Sequence, residues 1–224
     1  MKIYLKNVKE FWVSDTSFVT LLIMLLFTVF VLPVMIDTES ESTLFLNIMF
    51  VSLFFAGIFS SKEPAMIVIT STLFLAHVIL KLIRFSDTPF EYYMVEKVVG
   101  LLNLMVFIFI NFKLLFRNDE INTYRIIGAV NVYLLLALFG AFVLEIIHIQ
   151  TGASIIGDVK LVGGDQDFSD YIYYSLVCIT TVGFGDIFPA NVASKMLSVF
   201  LSATGILYPA VVIAKLVSSG SRKD

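Results

Sequence analysis

An all-α membrane protein, with six transmembrane helices and a re-entrant half-helix and loop between the fifth and sixth, is the fold this sequence predicts. Three observations predict it. Hydrophobic side chains make up 58% of the 224 residues and charged ones only 15%, where a soluble domain carries roughly a quarter and interleaves them. The charges fall in short clusters between six long apolar runs, and the mean hydropathy is +0.94. One polar, glycine-rich stretch, "CITTVGFGDIFP" at 178–189, breaks into the last third just before the final apolar run.

A helix needs about 20 mostly apolar residues to cross a hydrocarbon core of ~30 Å. The runs at 18–36, 44–60, 65–83, 92–116, 124–148 and 193–217 are read as spans. The first follows a short lysine-bearing segment but is too long for a signal-peptide core and lacks a small-residue cleavage site, so it is read as retained. Asp15 and Ser17 are placed to cap it, "DTESES" closes it, and Pro33 is expected to bend it near its outer end. The second run is short but free of charge. Pro64 opens the third at the first-turn position that tolerates proline.

Lysine and arginine set the orientation. With the N-terminus inside, Lys2, Lys6, Lys9, Lys62, Lys113, Arg117, Arg125, Lys215, Arg222 and Lys223 are cytoplasmic. Only Lys81, Arg84, Lys97, Lys160 and Lys195 are outside, so both termini are expected in the cytoplasm of a multi-pass protein of the cell (plasma) membrane. Three regions follow: a four-helix transmembrane region at 1–116, a short linker at 117–122 and a final module at 123–224. A formal net charge of −3 offers no basic face for phosphate, so the expected surroundings are the lipid bilayer and not nucleic acid. The single cysteine, Cys178, excludes an intrachain disulfide.

Between the fifth and sixth spans the chain leaves and returns on the outer side. "SDYIYYSLVCIT" is apolar and helical in composition but covers half a bilayer. Non-helical backbone at that depth is tolerated only under protein cover or along a watery cavity. A half-helix entering and a glycine-rich strand leaving are read as a re-entrant loop. Successive carbonyls facing one side can replace a cation's water shell. An ordinary strand alternates them, so the backbone must alternate in handedness, and glycine takes φ > 0 without steric cost. Thr181, Val182, Gly183, Phe184 and Gly185 place glycine at alternate positions, and Thr181 adds a hydroxyl. Val182 and Phe184 are then expected to face away from the ion and wedge the loop against the half-helix. One loop cannot encircle an ion, whereas four around a fourfold axis can, which implies a C4 homotetramer.

"TTVGFGD" resembles the signature of the potassium-channel family, and 123–217 resembles that family's pore module without a gap. The resemblance implies a K+ selectivity filter at Thr181, Val182, Gly183, Phe184 and Gly185, with K+ bound through Thr181 to Phe184, and Asp186 behind the outer mouth. No cofactor is implied; K+ enters only as the permeant ion, and no reaction is catalysed. The family often has Tyr at the place of Phe184. Some members pair the filter acid with a pore-helix Glu; here that position is Val177, so Tyr173 is the candidate donor to Asp186. Glu145 stands where voltage-gated relatives hold the chain after the filter and is expected to accept backbone hydrogen bonds near 188–191. Gly205 aligns with the family's hinge glycine. Pro209 removes a backbone bond one turn later, and Ile206, Ala210, Ile213 and Ala214 are candidates for cavity and gate lining. That apolar stripe also suits packing against the fifth helix.

Six spans with the pore last is a voltage-sensor layout, yet the fourth run carries only Lys97 beside Glu96 and, at its far end, Lys113. A unit charge moved through 100 mV gains only ~2.3 kcal/mol, so steep sensing needs several. A voltage-independent channel is therefore expected. Lys81 or Arg84 is expected to pair with Glu91 or Glu96, and His77 to be a packed residue. The acids Asp158, Asp165, Asp167 and Asp170 are expected to draw cations to the entrance, and "SIIGDVKLV" to form a small local hairpin. With seven residues after the sixth run, no soluble ligand-binding domain is expected. Alternatives are a weakly selective cation channel, a potassium-transporter subunit (those relatives join four imperfect filter loops in one chain), or an accessory protein with a dead pore.

Overall fold

A computed structural model describes residues 14, 17–38, 43–60, 63–84, 91–116 and 123–220. The expected cap at Asp15, the turn at 39–42, the linker at 117–122 and the basic terminal residues lie outside them, as does the side chain of Glu91. The elements in order are α1 (Ser17–Leu26), a π-helical turn (Phe27–Val31), α2 (Leu32–Thr38), α3 (Thr43–Phe59), α4 (Pro64–Arg84), α5 (Glu91–Leu115), α6 (Thr123–Thr151), β1 (Ile155–Gly157), a 3-10 turn (Gly164–Asp167), α7 (Phe168–Ile179), β2 (Ile187–Pro189) and α8 (Val192–Gly220). Among the described residues five helical stretches are long and apolar enough to cross a membrane: Ser17–Ile36, Pro64–Arg84, Tyr92–Leu115, Thr123–Thr151 and Val192–Lys215. The sixth expected span, α3, has 17 residues, or about 25 Å at 1.5 Å per residue, short of a ~30 Å core.

Pro33 acts where the sequence places a bend, but through a π-helical turn. Proline has no N–H and its ring crowds the carbonyl four residues back, here that of Val29. The turn before it widens instead, and the N–H of Leu32 reaches back to Phe27 O.

The chain divides into two compact units. One contains Met1–Leu25, Asn47–Asn118 and Asn122–Val132. Its helices close on small residues. A Cβ on Gly57 would stand 3.2 Å from the Phe107 ring, and one on Gly128 would stand 3.0 Å from Phe18. Asn131, fully buried, donates to Phe18 O at 2.8 Å, and buried Arg125 donates to Leu115 O at 3.2 Å. Lys81 and Arg84, in the last turn of α4, both reach Glu96 on α5, at 2.5 and 3.5 Å. Lys81 also donates to Asn47, and the Arg84 guanidinium lies 4.4 Å over the Tyr93 ring. His77 is packed against the edge of Phe54.

The other unit contains Leu26–Leu46, Asp119–Ile121 and Tyr133–Asp224. Here α2 lies against α7, and α7 against α8. Gly140 on α6 lets the three helices of the final module meet: an added Cβ would stand 2.2 Å from Ser175 Oγ and 2.7 Å from Leu201 Cδ1. Ser175 is fully buried and donates to Ala137 O at 2.6 Å. The expected local hairpin at 154–162 does not form. Instead β1 pairs antiparallel with β2, Ile156 opposite Phe188, because backbone groups brought beside the returning chain find partners there.

Candidate functional site

Twelve residues of α7, about 18 Å long, end at the glycine-rich stretch. A helix leaves its last carbonyls without helical partners. Here neighbouring helices supply donors. Tyr133 of α6 donates to Ile179 O at 2.8 Å, and Ser202 of α8 donates to Cys178 O at 3.0 Å. The chain leaves the helix through Thr181 N to Cys178 O at 3.0 Å and Val182 N to Val177 O at 3.2 Å.

From there the backbone alternates. Thr181, Gly183 and Gly185 have φ of 60, 59 and 80°, while Val182 and Phe184 between them are not in the positive region. The glycines are legible in the sequence; Thr181 is not. A β-branched residue at φ > 0 is an outlier, carrying strain of roughly 1–2 kcal/mol, and it is the one non-glycine residue with positive φ among those described. Strain of this kind persists where the surrounding structure fixes it, and it clusters at functional sites. All of residues 180–186 are exposed in the single chain. Val182 and Phe184 are 54% and 70% exposed. The expected wedge against α7 is therefore not made within one chain; the side chains of one loop lack cover from their own helix.

Asp186 closes the stretch. Tyr173 Oη donates to its Oδ2 at 2.5 Å, and its Oδ1 accepts from Ile187 N at 3.0 Å. The phenol hydrogen bond, and secondarily the backbone ones, hold the Asp186 carboxyl below the usual carboxylate range. The same bond, as its largest cause, raises the Tyr173 phenol.

Glu145 is 5% exposed near the end of α6. In the segment after the loop, Ala190 N donates to Ser154 O at 2.9 Å and Asn191 N to Ser194 Oγ at 3.1 Å. Pro189 has no N–H. Strand pairing and a cap tie this segment. Gly205 is where α8 crosses the end of α7: a Cβ there would lie 1.7 Å from Ile179 O, so only glycine permits the approach. Pro209 sits inside α8 and leaves the Gly205 carbonyl without its helical N–H. Ile206, Ala210, Ile213 and Ala214 are all exposed along α8. Of the entrance acids, Asp165 and Asp167 are buried, and Asp167 accepts from Val162 N and Gly163 N at 2.8 and 2.9 Å. Asp167 thus braces a turn; Asp158 is exposed.

Asn191 is the site residue that sequence reasoning missed. Its Oδ1 accepts from Ser194 N at 3.0 Å, capping α8, while its Nδ2 donates to Ala153 O at 2.7 Å and Thr151 Oγ1 at 3.0 Å. It thus ties the end of α6 to the start of α8. An Asn before a helix and three residues ahead of Ser is a capping signal; the second tie depends on the fold. Among the described residues no group of three or more His, Cys, Asp or Glu side chains converges.

The same part of the chain is the part that resembles known proteins. Residues 132–221 match a family described as "Ion channel". Over 88 residues the chain is 33% identical to the "Voltage-gated potassium channel" of Aeropyrum pernix, covering 39% of this chain and 26% of that protein. Over 51 residues it is 37% identical to "Two-pore potassium channel 4" of Arabidopsis thaliana, covering 23% of this chain and 18% of that one. The matches thus span about a quarter or less of these relatives' lengths. No solved structure matches. The protein is a multi-span helical membrane protein with a family-level resemblance to potassium channels, which are transport proteins without a catalysed reaction.

Proposed function

We propose that this protein is a potassium-selective channel, conducting K+ passively as a C4 homotetramer whose filter is Thr181 to Gly185. The observation that carries the reading is the run of positive φ at alternate residues Thr181, Gly183 and Gly185. Alternating handedness aims successive carbonyls to one side, and four such rows replace the hydration shell of a dehydrated cation. K+ is held by the carbonyls of Thr181, Val182, Gly183 and Phe184 together with the Thr181 hydroxyl. The uncovered Val182 and Phe184 favour the tetramer, since their packing must come from neighbouring copies. The C-terminal end of α7, with its partial negative charge, meets the inner end of the loop and favours a cation there.

In this reading α7 is the re-entrant pore helix and α8 lines the path below the filter. Gly205 and Pro209 form its weak turn, where a hinge sits, and Ile213 lies at the lower gate. Asp186, Tyr173 and Glu145 support the filter from outside it. The chain crosses the plasma membrane six times, α3 included, with both termini cytoplasmic. Voltage dependence is shallow: the basic residues of α4 are held by Glu96, and α5 bears no ladder of charges.

The test is flux from purified protein in liposomes, K+ against Na+. Wild type is expected to pass K+ and exclude Na+, and Gly183→Ala is expected to abolish that selectivity. Unchanged K+ flux in Gly183→Ala would remove the filter assignment.

A further inference from the structure

Among the described residues, the glycine-rich stretch is attached to its own chain at its two ends. At the inner end Thr181 N and Val182 N bond to α7. Further along, a Cβ built on Gly183 or Gly185 would meet no heavy atom within 4 Å. The next attachment is Asp186. It is held twice: by its carboxylate through Tyr173, and by its main-chain carbonyl, which accepts from Asp158 N at 3.0 Å.

The second attachment belongs to the β1–β2 register. Ala190 N donates to Ser154 O and Asp158 N to Asp186 O. Hydrogen-bonded pairs alternate along an antiparallel ladder, so Ile156 and Phe188, opposite each other between these two, form the remaining pair. Gly157 lies at the narrow point. Its φ is +128°, and a Cβ there would stand 2.2 Å from Asp186 O, 3.1 Å from Ile187 Cα and 3.2 Å from Asp186 C. Gly152 and Gly163 of the same outer segment also have positive φ, 78 and 98°, but a Cβ on either meets nothing within 4 Å. Glycine at 157 therefore serves a close approach as well as a turn.

We infer that Gly157 is a positioning residue for the outer end of the filter, and that β1 fixes that end through the Asp186 carbonyl. The inference rests on the filter reading above. The Asp186 carbonyl is one residue from Gly185, and planar peptides pass a displacement along. Any side chain at 157 pushes this carbonyl out of register and loosens the outermost oxygens, for which Asp186 is the nearest attachment among the described residues.

The experiment compares Gly157→Ala with Gly152→Ala and Gly163→Ala, all full-length in liposomes, by K+ and Na+ flux and by thermal unfolding. The two controls carry the positive-φ penalty without the contact. Gly157→Ala is expected to lower the K+:Na+ flux ratio by on the order of tenfold or more, as ångström-scale displacement of preorganised groups does, while both controls stay close to wild type. Ile156→Pro, which removes a ladder N–H at an exposed position, is expected to lower the ratio in the same direction. It decides the matter if Gly157→Ala does not fold. A Gly157→Ala ratio equal to that of Gly163→Ala, or an unchanged ratio in Ile156→Pro, overturns the inference. Absence of K+ selectivity in wild type would instead overturn the filter reading itself.

Discussion

Glu96 and Gly183 stand in two regions that treat polar groups in opposite ways. Around Glu96, which is 1% exposed, charged and polar side chains of the same chain meet one another: Lys81 and Arg84 bind it, Asn47 accepts from Lys81, and Tyr93 lies under Arg84. Around Gly183 the backbone is bare, with positive φ at three alternate residues and no neighbour within 4 Å of the built Cβ. Buried charge in a membrane is expensive unless paired, and each bare peptide group there also costs several kcal/mol. The first region meets that constraint internally, as a structural core does. In the proposed function, a bound ion and neighbouring copies meet it for the second.

Substitutions separate the two. The largest effect is expected from Gly183→Ala. A Cβ there has room but sits at φ +59°, so K+:Na+ discrimination collapses while the thermal unfolding of the protein moves little. Glu96→Gln should do the reverse: breaking a buried ion pair by removing one partner costs about 3–5 kcal/mol, read as a lowered unfolding midpoint with ion selectivity intact. If Glu96→Gln changed selectivity at unchanged stability, the division of roles would be wrong. Gly140→Ala tests the packing that backs the site, because its Cβ would meet Ser175 and Leu201. Overpacking of this kind costs about 1–3 kcal/mol, measured again by unfolding.

The smallest effect is a shift in pH. The folded carboxyl of Asp186 is lowered, mainly by Tyr173. Its contribution is therefore fully present above the unfolded carboxyl value of about 3.9 and is lost as pH falls through the lowered folded value. Tyr173→Phe removes the largest cause, so acid inactivation of K+ flux should begin at higher pH than in wild type. A titration in which the two proteins lose flux together would mean the phenol does not tune this acid.

Patterns with a local cause were readable in the sequence. The apolar runs gave five spans with ends close to those observed, Pro64 opened its helix, and Asp186 found Tyr173. Glycine at 183 and 185 announced the alternation because glycine is the residue that positive φ favours. Thr181 hid the third member, since nothing in a β-branched residue signals that it will be forced there. The pairing of Ile155–Gly157 with Ile187–Pro189 was hidden too, because two three-residue strands thirty residues apart leave no periodicity to read. The close approach of the Ile179 carbonyl to Gly205 was hidden as well. A single helix cannot reveal what crosses it. For the same reason Asp167 looked like surface charge and proved to be a buried acceptor for two amides.

The most direct test is the reversal potential of purified wild-type protein in planar bilayers or liposomes with K+ on one side and Na+ on the other. A K+-selective filter predicts a potential that follows the K+ gradient by about 59 mV per tenfold change and ignores Na+. A potential near zero under equal and opposite K+ and Na+ gradients, or no current at all, would contradict it.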